Sequence, residues 1–527
     1  MSAAAATFDE SDERIDLRKL LVVFSVMLAV LLEIIDTSIV NTALPSMMSS
    51  LGATLAEIDW VITGYIISNV IVIPLTGWLA LTFGRKRYFT ASILLFTFAS
   101  LMCGLSSSST ALVVWRVIQG LGGGALLSTT QAIMVETFPA RQQGTGQAIF
   151  GLGAMLGPSL GPTLGGWITD NYSWHWIFLI NVPLGLLAAF LCASTLRDNP
   201  LLSAKKGAGV DWWGIAFLII GVGSLQTVLE RGHKDDWFDS RLITCLTVSA
   251  AVGIVAFIVR ELMAEHPVVD LRVLRRKPLA VGCALGVLMG VGLYGSIFLL
   301  PVYTQQLLGW TAWQSGVAVL PSTVMTAVMM GVTGRVVWHL GPRNIFVVGM
   351  ILMPLTMWQM SQWSLSSGWD DLAWPQMMRG FTMALLFIPL STVGLRSLPS
   401  ADLAKGSGMY NLFRMLGGSF GVAILSTILD RRADAHLSAL AGNVGPFDGP
   451  TIARLSALSD RFVDHGLDPS QAYMAAQIAL DRALHANAMM QAFYDCYFFI
   501  GMLFVITLPA AFLLARHAPG KHTPILD

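Results

Sequence analysis

The sequence predicts an all-α polytopic membrane protein of fourteen transmembrane helices: two six-helix halves with two further helices inserted between them. Three observations carry that reading. The 527-residue chain is 54% hydrophobic and only 12% charged, about half the charged fraction of a soluble domain, and its mean hydropathy is +0.66. Apolar runs recur along its whole length, each near the roughly 20 residues a helix needs to cross a bilayer. The chain also resembles itself when slid by about 257 residues.

The apolar runs begin near residues 20, 58, 88, 111, 145, 175, 212, 242, 278, 313, 344, 374, 406 and 493. The N-terminus, MSAAAATFDESDERIDLRK, is polar and acidic. It lacks the basic and apolar regions of a signal peptide, so the first helix is expected to stay in the membrane. Net charge is zero, which gives no sign of a nucleic-acid or strongly acidic partner. The five cysteines (Cys103, Cys192, Cys245, Cys283, Cys496) lie in or beside apolar runs, without metal or disulfide spacing, and read as free thiols.

Basic residues set the orientation. Arg18 and Lys19 precede span 1, Arg85, Lys86 and Arg87 follow span 2, and Arg197, Lys205 and Lys206 follow span 6. Arg272, Arg275, Arg276 and Lys277 follow span 8, Arg343 follows span 10 and Lys405 follows span 12. The intervening loops 46–57, 301–312 and 361–373 carry no Lys or Arg. Both termini are therefore expected in the cytoplasm. The expected divisions are a tail 1–19, a first half 20–198, an inserted pair with its linker 199–277, a second half 278–516 containing a long outer loop 430–490, and a tail 517–527. Within that loop, Asp468-Pro469-Ser470 reads as a helix start with Pro at the first helical position, followed by an amphipathic helix.

The repeat places Leu51-Gly52 on Leu308-Gly309, Gly77 and Gly84 on Gly334 and Gly341, and Lys86 on Arg343. Paired halves of this kind typify secondary transporters, with the substrate site between them at mid-membrane. The repeat breaks where it matters. Glu33 and Asp36 fall opposite Gly290 and Leu293, and Arg116-Val-Ile-Gln119 becomes Gln376-Met-Met-Arg379. Both halves keep an intramembrane cation; only the first keeps acids near mid-membrane. A charge in hydrocarbon costs about 2.5–3.5 kcal/mol on insertion scales, so these residues need a reason.

Glu33 and Asp36 are three apart and share a helix face. Two carboxyls in low dielectric resist joint ionisation, so such a pair can load and release a proton. The competing reading is a structural lock neutralised by Arg116 or Arg414, and Glu33 could instead face substrate. Span 5, GLGAMLGPSLGPTLGGW, places Gly153, Gly157, Gly161 and Gly165 on one face. Small residues at that spacing permit close helix approach, and Pro158 and Pro162 permit a bend. Such a helix suits a gate between halves as well as plain packing. Asn411 and Arg414 of span 13 are substrate contacts or an ion-pair lock, and Arg379 is similar. The second half is rich in methionine, including Met325 and Met329. Methionine suits a promiscuous pocket and equally fills cores. Tyr294, Gln119 and Gln376 complete the expected substrate cavity.

The runs LLEIIDTSIVNTALP (31–45), WRVIQGLGGGAL (115–126), GPSLGPTLGGW (157–167), WHWIFLINVPLG (174–185) and GVGSLQTVLERGHKDDWFDS (221–240) resemble the fourteen-helix drug:proton antiporters of the major facilitator superfamily, the EmrB/QacA branch. The resemblance spans nearly the whole chain. It implies a major facilitator fold and proton-driven multidrug efflux of hydrophobic, often aromatic or cationic, compounds, hence antibiotic resistance. It also implies a tripartite efflux pump, with a membrane-fusion adaptor (EmrA-like) and an outer-membrane channel (TolC-like) as partners. By it, Asp36 is the first-helix acid and Arg116 the fourth-helix base of the coupling site, while Gly157, Pro158, Gly161, Pro162, Gly165 and Gly166 match the antiporter motif. The loop motif, with Gly77, Gly84, Arg85 and Lys86, departs from the family pattern: Leu81 and Thr82 stand where Asp and Arg are usual. The charge lock between halves assigned to that Asp therefore cannot form there. A transporter of one defined metabolite is the alternative reading. The sequence holds no GxxxxGK[ST] loop for ATP, no cofactor motif and no nucleophile–base constellation, so the proton gradient is the expected driving force and no enzyme activity is expected.

Overall fold

The computed structural model describes residues 17–139, 142–197, 210–396, 398–399, 402–442, 444–445 and 447–514. The tail 517–527, most of the tail 1–19 and the whole linker 199–209, with Lys205 and Lys206, lie outside them. Among the described residues the chain is helical, with no strand. The fourteen long helices are α1 Leu17–Leu51, α2 Trp60–Phe83, α3 Arg85–Gly104, α4 Ser109–Thr137, α5 Gln143–Asn171, α6 Asn181–Thr195, α7 Trp212–Arg231, α8 Arg241–Met263, α9 Lys277–Val302, α10 Leu320–Leu340, α11 Pro342–Ser361, α12 Trp369–Arg396, α13 Leu403–Ala441 and α14 Pro469–Thr507. Thirteen stretches of the chain, covering all of these but α5, are long and apolar enough to cross a membrane. The remaining helix, α5, has 29 residues, also a spanning length.

The repeat is written into the backbone. Gly52 and Gly309 have φ +60° and +68°; Gly84 and Gly341 have +85° and +81°. These are conformations that only glycine adopts without strain, and they end one helix and start the next at matching places. Thr54 with Glu57, and Thr311 with Gln314, form equivalent capping boxes, each satisfying orphan backbone donors at both ends of a reciprocal pair. Packing repeats as well. α1 packs on α5 as α9 packs on α13, α2 on α4 as α10 on α12, and α3 on α4 as α11 on α12. The inserted α7 and α8 pack on each other, and α7 rests on α2 and α13.

The segment 430–490 is not a loop. α13 continues to Ala441, a helix spans Gly449–Asp464, and α14 begins at Pro469. The run DRRADAHLSALA contains no Gly or Pro to stop a helix, so α13 outlasts its apolar stretch. Its 39 residues reach about 58 Å, nearly twice a hydrocarbon core of about 30 Å. The expected start of α14 is present: Asp468 accepts from the Ser470 amide at 3.2 Å, and Pro469 follows it. Asp495 ties α14 to α13 through Arg432 at 2.6 Å and His436 at 2.8 Å.

The two halves meet chiefly at the end that carries the basic loops. A methyl group at Gly77 would lie 2.9 Å from the Lys405 backbone, and one at Gly144 would lie 2.5 Å from the Gly334 carbonyl oxygen. Gly77 and Gly334 are repeat equivalents, so each half offers the same glycine to the other. Ser407 Oγ donates to the Ser128 carbonyl at 2.9 Å, and Phe150 stacks on Phe387 with centroids 6.2 Å apart.

Candidate functional site: a closed ion pair in the first half

Asp36 is wholly buried and its carboxylate is fully engaged. Arg116 Nη1 donates to Oδ2 at 2.6 Å. Gln119 Nε2 and Asn181 Nδ2 both donate to Oδ1 at 2.9 Å. The acid of α1 is thus gripped by α4 and α6. Arg116 and Gln119 are one turn apart on α4, so a single helix face supplies both donors. Each partner is itself held. Arg116 Nε donates to the Val61 carbonyl at 2.9 Å, and Nη1 also reaches Gln119 Oε1 at 2.9 Å. The guanidinium lies over the Tyr65 ring, 4.1 Å from its centroid, a favourable cation–π position. Asn181 Nδ2 also donates to Ser100 Oγ at 3.1 Å. A buried ion pair is tolerable in low dielectric only when such hydrogen bonds satisfy the remaining lone pairs and protons.

Glu33 shares a face with Asp36 but has a different environment. Asn69 Nδ2 of α2 donates to its Oε1 at 3.1 Å. Its Oε2 is buried with no hydrogen-bond donor in place. A cation of the other half, Arg414, acts electrostatically on Glu33. Arg414 Nη2 donates to Asn411 Oδ1 at 2.9 Å, and Asn411 Nδ2 donates across the seam to Gln131 Oε1 at 2.7 Å. A polar line therefore runs from Arg414 through Asn411 to Gln131.

The expected site residues are thus sorted by packing. Asp36, Arg116 and Gln119 form one cluster, so Gln119 is held by the acid. Asn411 and Arg414 lie buried at the seam between halves, while Gln376 and Arg379 lie inside the second half. Tyr294 packs on Gly418, where a methyl group would meet its ring at 2.3 Å. Met325 and Met329 are half-buried on α10.

The glycine stripe of α5 faces α1 in the same half, not the other half. Methyl groups at Gly153, Gly157, Gly161 and Gly165 would strike Met27, Ile34, Ser38 and Thr42. Gly166 faces open space. α5 meets the second half through other residues: Gly144, Gly151 against Phe387 and Met330, and Thr163 against Gly316. Periodicity gives the stripe its face but not the neighbour it meets. Pro158 and Pro162 lie in α5, and their side chains are outside the described set.

In the loop motif, Arg85 pairs with Glu136 of α4, Nη2 lying 2.9 Å from Oε1. That pair stays within the first half. Lys86 starts α3 beside it. With Leu81 in place of the usual Asp, the closed end is held by glycine-to-backbone packing and by the Ser407 and Asn411 hydrogen bonds.

Asn69, Gln131 and Asn181 were not singled out by sequence pattern. Asn181 sits inside WHWIFLINVPLG, and the readable signal was an amide within an apolar run.

A buried, titratable ion pair in one half of a two-half helical bundle is the arrangement of a secondary transporter. The family model described as the Major Facilitator Superfamily matches residues 26–422, and the chain belongs to that superfamily. It is 36% identical over 432 residues to the multidrug export protein EmrB of Escherichia coli K12, covering 82% of this chain and 84% of that one. It is 32% identical to EmrB of Haemophilus influenzae, covering 87% and 89%. Among solved structures it resembles the human organic anion transporter MFSD10, with a TM-score of 0.61 at 14% identity over 94% of this chain and 99% of that one. That last likeness concerns the fold alone.

Proposed function

We propose that this protein is a proton-coupled antiporter that exports hydrophobic drugs or other toxic small molecules across the bacterial inner membrane. The observation that carries the reading is the Asp36 ion pair. Its carboxylate takes three buried donors, and the second half has Leu293 in its place. Protonating Asp36 removes the charge that Arg116 and the two amides hold, and so loosens α1 from α4 and α6. Because α1 also carries Glu33, on which Arg414 of the other half acts electrostatically, a change at Asp36 reaches the seam between halves. By the basic-loop rule the end closed by Gly77 against Lys405 is cytoplasmic, so a proton would reach Asp36 from the outer side.

Reconstituted protein should move protons into the vesicle lumen when drug is supplied to exchange against them. Asp36→Asn should abolish that proton movement. Full proton-coupled transport by Asp36→Asn would sink the assignment.

The helical extension formed by the ends of α13 and α14 and by Gly449–Asp464 supports a second part of the proposal. It is the surface offered to a membrane-fusion adaptor in a tripartite pump with an outer-membrane channel. Deleting Gly449–Asp464 should abolish cross-linking to the adaptor while vesicle transport persists; loss of transport as well would make the extension structural.

A further inference from the structure

The two halves treat their buried cation differently. In the first half, the donors of Arg116, Gln119 and Asn181 converge on the Asp36 carboxylate. In the second half the corresponding turn of α12 presents Gln376 and Arg379, and the position opposite Asp36 is Leu293. Arg379 and Gln376 are 4% and 0% exposed. Arg379 Nη1 donates to Ser296 Oγ at 3.2 Å, a neutral acceptor, and Nε has none. Both polar atoms of the Gln376 amide are buried without a partner. Tyr497 of α14 lies within electrostatic reach of Arg379, and its hydroxyl is likewise buried and unpartnered. Trp363 meets the Tyr497 ring edge-on at 5.7 Å, and its Nε1 is a further buried donor without an acceptor. Among the described residues no carboxylate lies within ion-pair distance of Arg379.

A buried guanidinium without a counter-charge is strongly unfavourable, and buried polar groups in native proteins are satisfied. Here the unpartnered groups are donors in excess, and the cation is not neutralised by the chain. That is the chemistry of an anion site. We propose that the interior of the second half, between α9, α12 and α14, binds a small monovalent anion of halide or formate size on Arg379, Gln376 and Tyr497. The ion supplies to Arg379 the negative charge that Asp36 supplies to Arg116 in the first half. It is small because every group that would hold it is almost wholly enclosed.

The site predicts a specific linkage. An anion that binds only the folded chain stabilises it saturably. Purified full-length protein in detergent should unfold at a higher temperature in sodium chloride or sodium formate than in sodium gluconate at the same ionic strength, since gluconate is too bulky to enter. The rise should saturate with chloride. Arg379→Gln should abolish the difference between salts. Leu293→Asp places a carboxylate next to Ser296, one turn away on α9, and should make stability independent of chloride while keeping the fold. Equal unfolding temperatures of the wild-type protein in all three salts would overturn the proposal. So would an unchanged chloride response in either Arg379→Gln or Leu293→Asp. If Arg379→Gln does not fold, the Leu293→Asp comparison decides by itself.

Discussion

Replacing Gly161 by alanine tests whether the coupling pair depends on the close packing of α5 against α1. A methyl group at Gly161 would sit 1.8 Å from Ser38 Oγ, 2.6 Å from Ser38 Cβ and 2.9 Å from the Ile39 amide nitrogen. Rotating the Ser38 hydroxyl relieves the first contact. The other two involve atoms fixed to the α1 backbone. Restoring a carbon–carbon separation near 3.5 Å requires α1 to move by roughly 1 Å. Such overpacking costs about 1–3 kcal/mol. The larger consequence is geometric. Asp36 lies on α1, and its 2.6 Å bond to Arg116 stretched by that amount passes the range of a hydrogen bond, about 3.2 Å. Gly161→Ala should therefore lower both thermal stability and drug-driven proton uptake in proteoliposomes. Gly166→Ala is the control, since nothing lies within 4 Å of a methyl group there. Gly153→Ala should be milder than Gly161→Ala, because its nearest atom is the flexible Met27 Cε at 2.3 Å. Equal proton uptake by Gly161→Ala and Gly166→Ala would refute the reasoning.

Asp36→Asn should cost more stability than a surface change, on the order of 3–5 kcal/mol, because it leaves Arg116 buried without its counter-charge; a melting temperature equal to wild type would contradict this. Asn411→Ala removes the bridge to Gln131 and leaves a buried acceptor unpaired, a loss of about 1–3 kcal/mol. Faster amide exchange across residues 73–83 and 403–411 should report the loosened closed end, and unchanged exchange there would count against that lock. Asp211 caps α7 and pairs with Arg260 of α8 at 2.8 Å. Burial by itself would raise its carboxyl, but the Arg260 and Gly214 hydrogen bonds outweigh burial and hold it below the ordinary range. A depressed carboxyl contributes stability that is present above its unfolded value and lost as pH falls through its folded value. The Asp211–Arg260 pair should therefore hold at all pH values above about 4 and be lost only below that. The stability difference between wild type and Asp211→Ala, followed across pH, would show it: the difference should be constant above about 4 and shrink below, and a difference that shrinks near neutrality would contradict it.

The capping boxes at Thr54 and Thr311 and the positive-φ glycines show how far local chemistry reaches. Each requirement is met within four residues, so the 257-residue repeat was legible in Gly52, Gly84, Gly309 and Gly341 without any fold. The i, i+3 pairs were legible too, because one turn of helix puts Arg116 beside Gln119 and Glu33 beside Asp36. Which helix those faces meet was not legible. The same glycine spacing on α5 would serve a gate between halves or a seat for α1, and only the assembled bundle directs it to α1. Gln119 reads as a cavity residue by its place in the repeat, yet it lies on Asp36 because α1 passes α4 at that height. Within 430–490 the helix that starts at Pro469 was legible from its cap, whereas the extension of α13 to Ala441 and the helix Gly449–Asp464 were not read, because a stretch that leaves the membrane was equated with one that leaves the helix.

The sequence by itself determined the spans, the two related halves, and the confinement of the acids to the first half, since these follow from length, hydropathy and spacing along one chain. Only the tertiary structure decided that Asp36 is saturated by three donors while Glu33 is half satisfied and faces Arg414 across the seam. It also decided that Arg379 has no counter-charge. Satisfaction of a buried charge depends on atoms brought from helices distant in sequence, and their register is set by packing rather than by the local pattern.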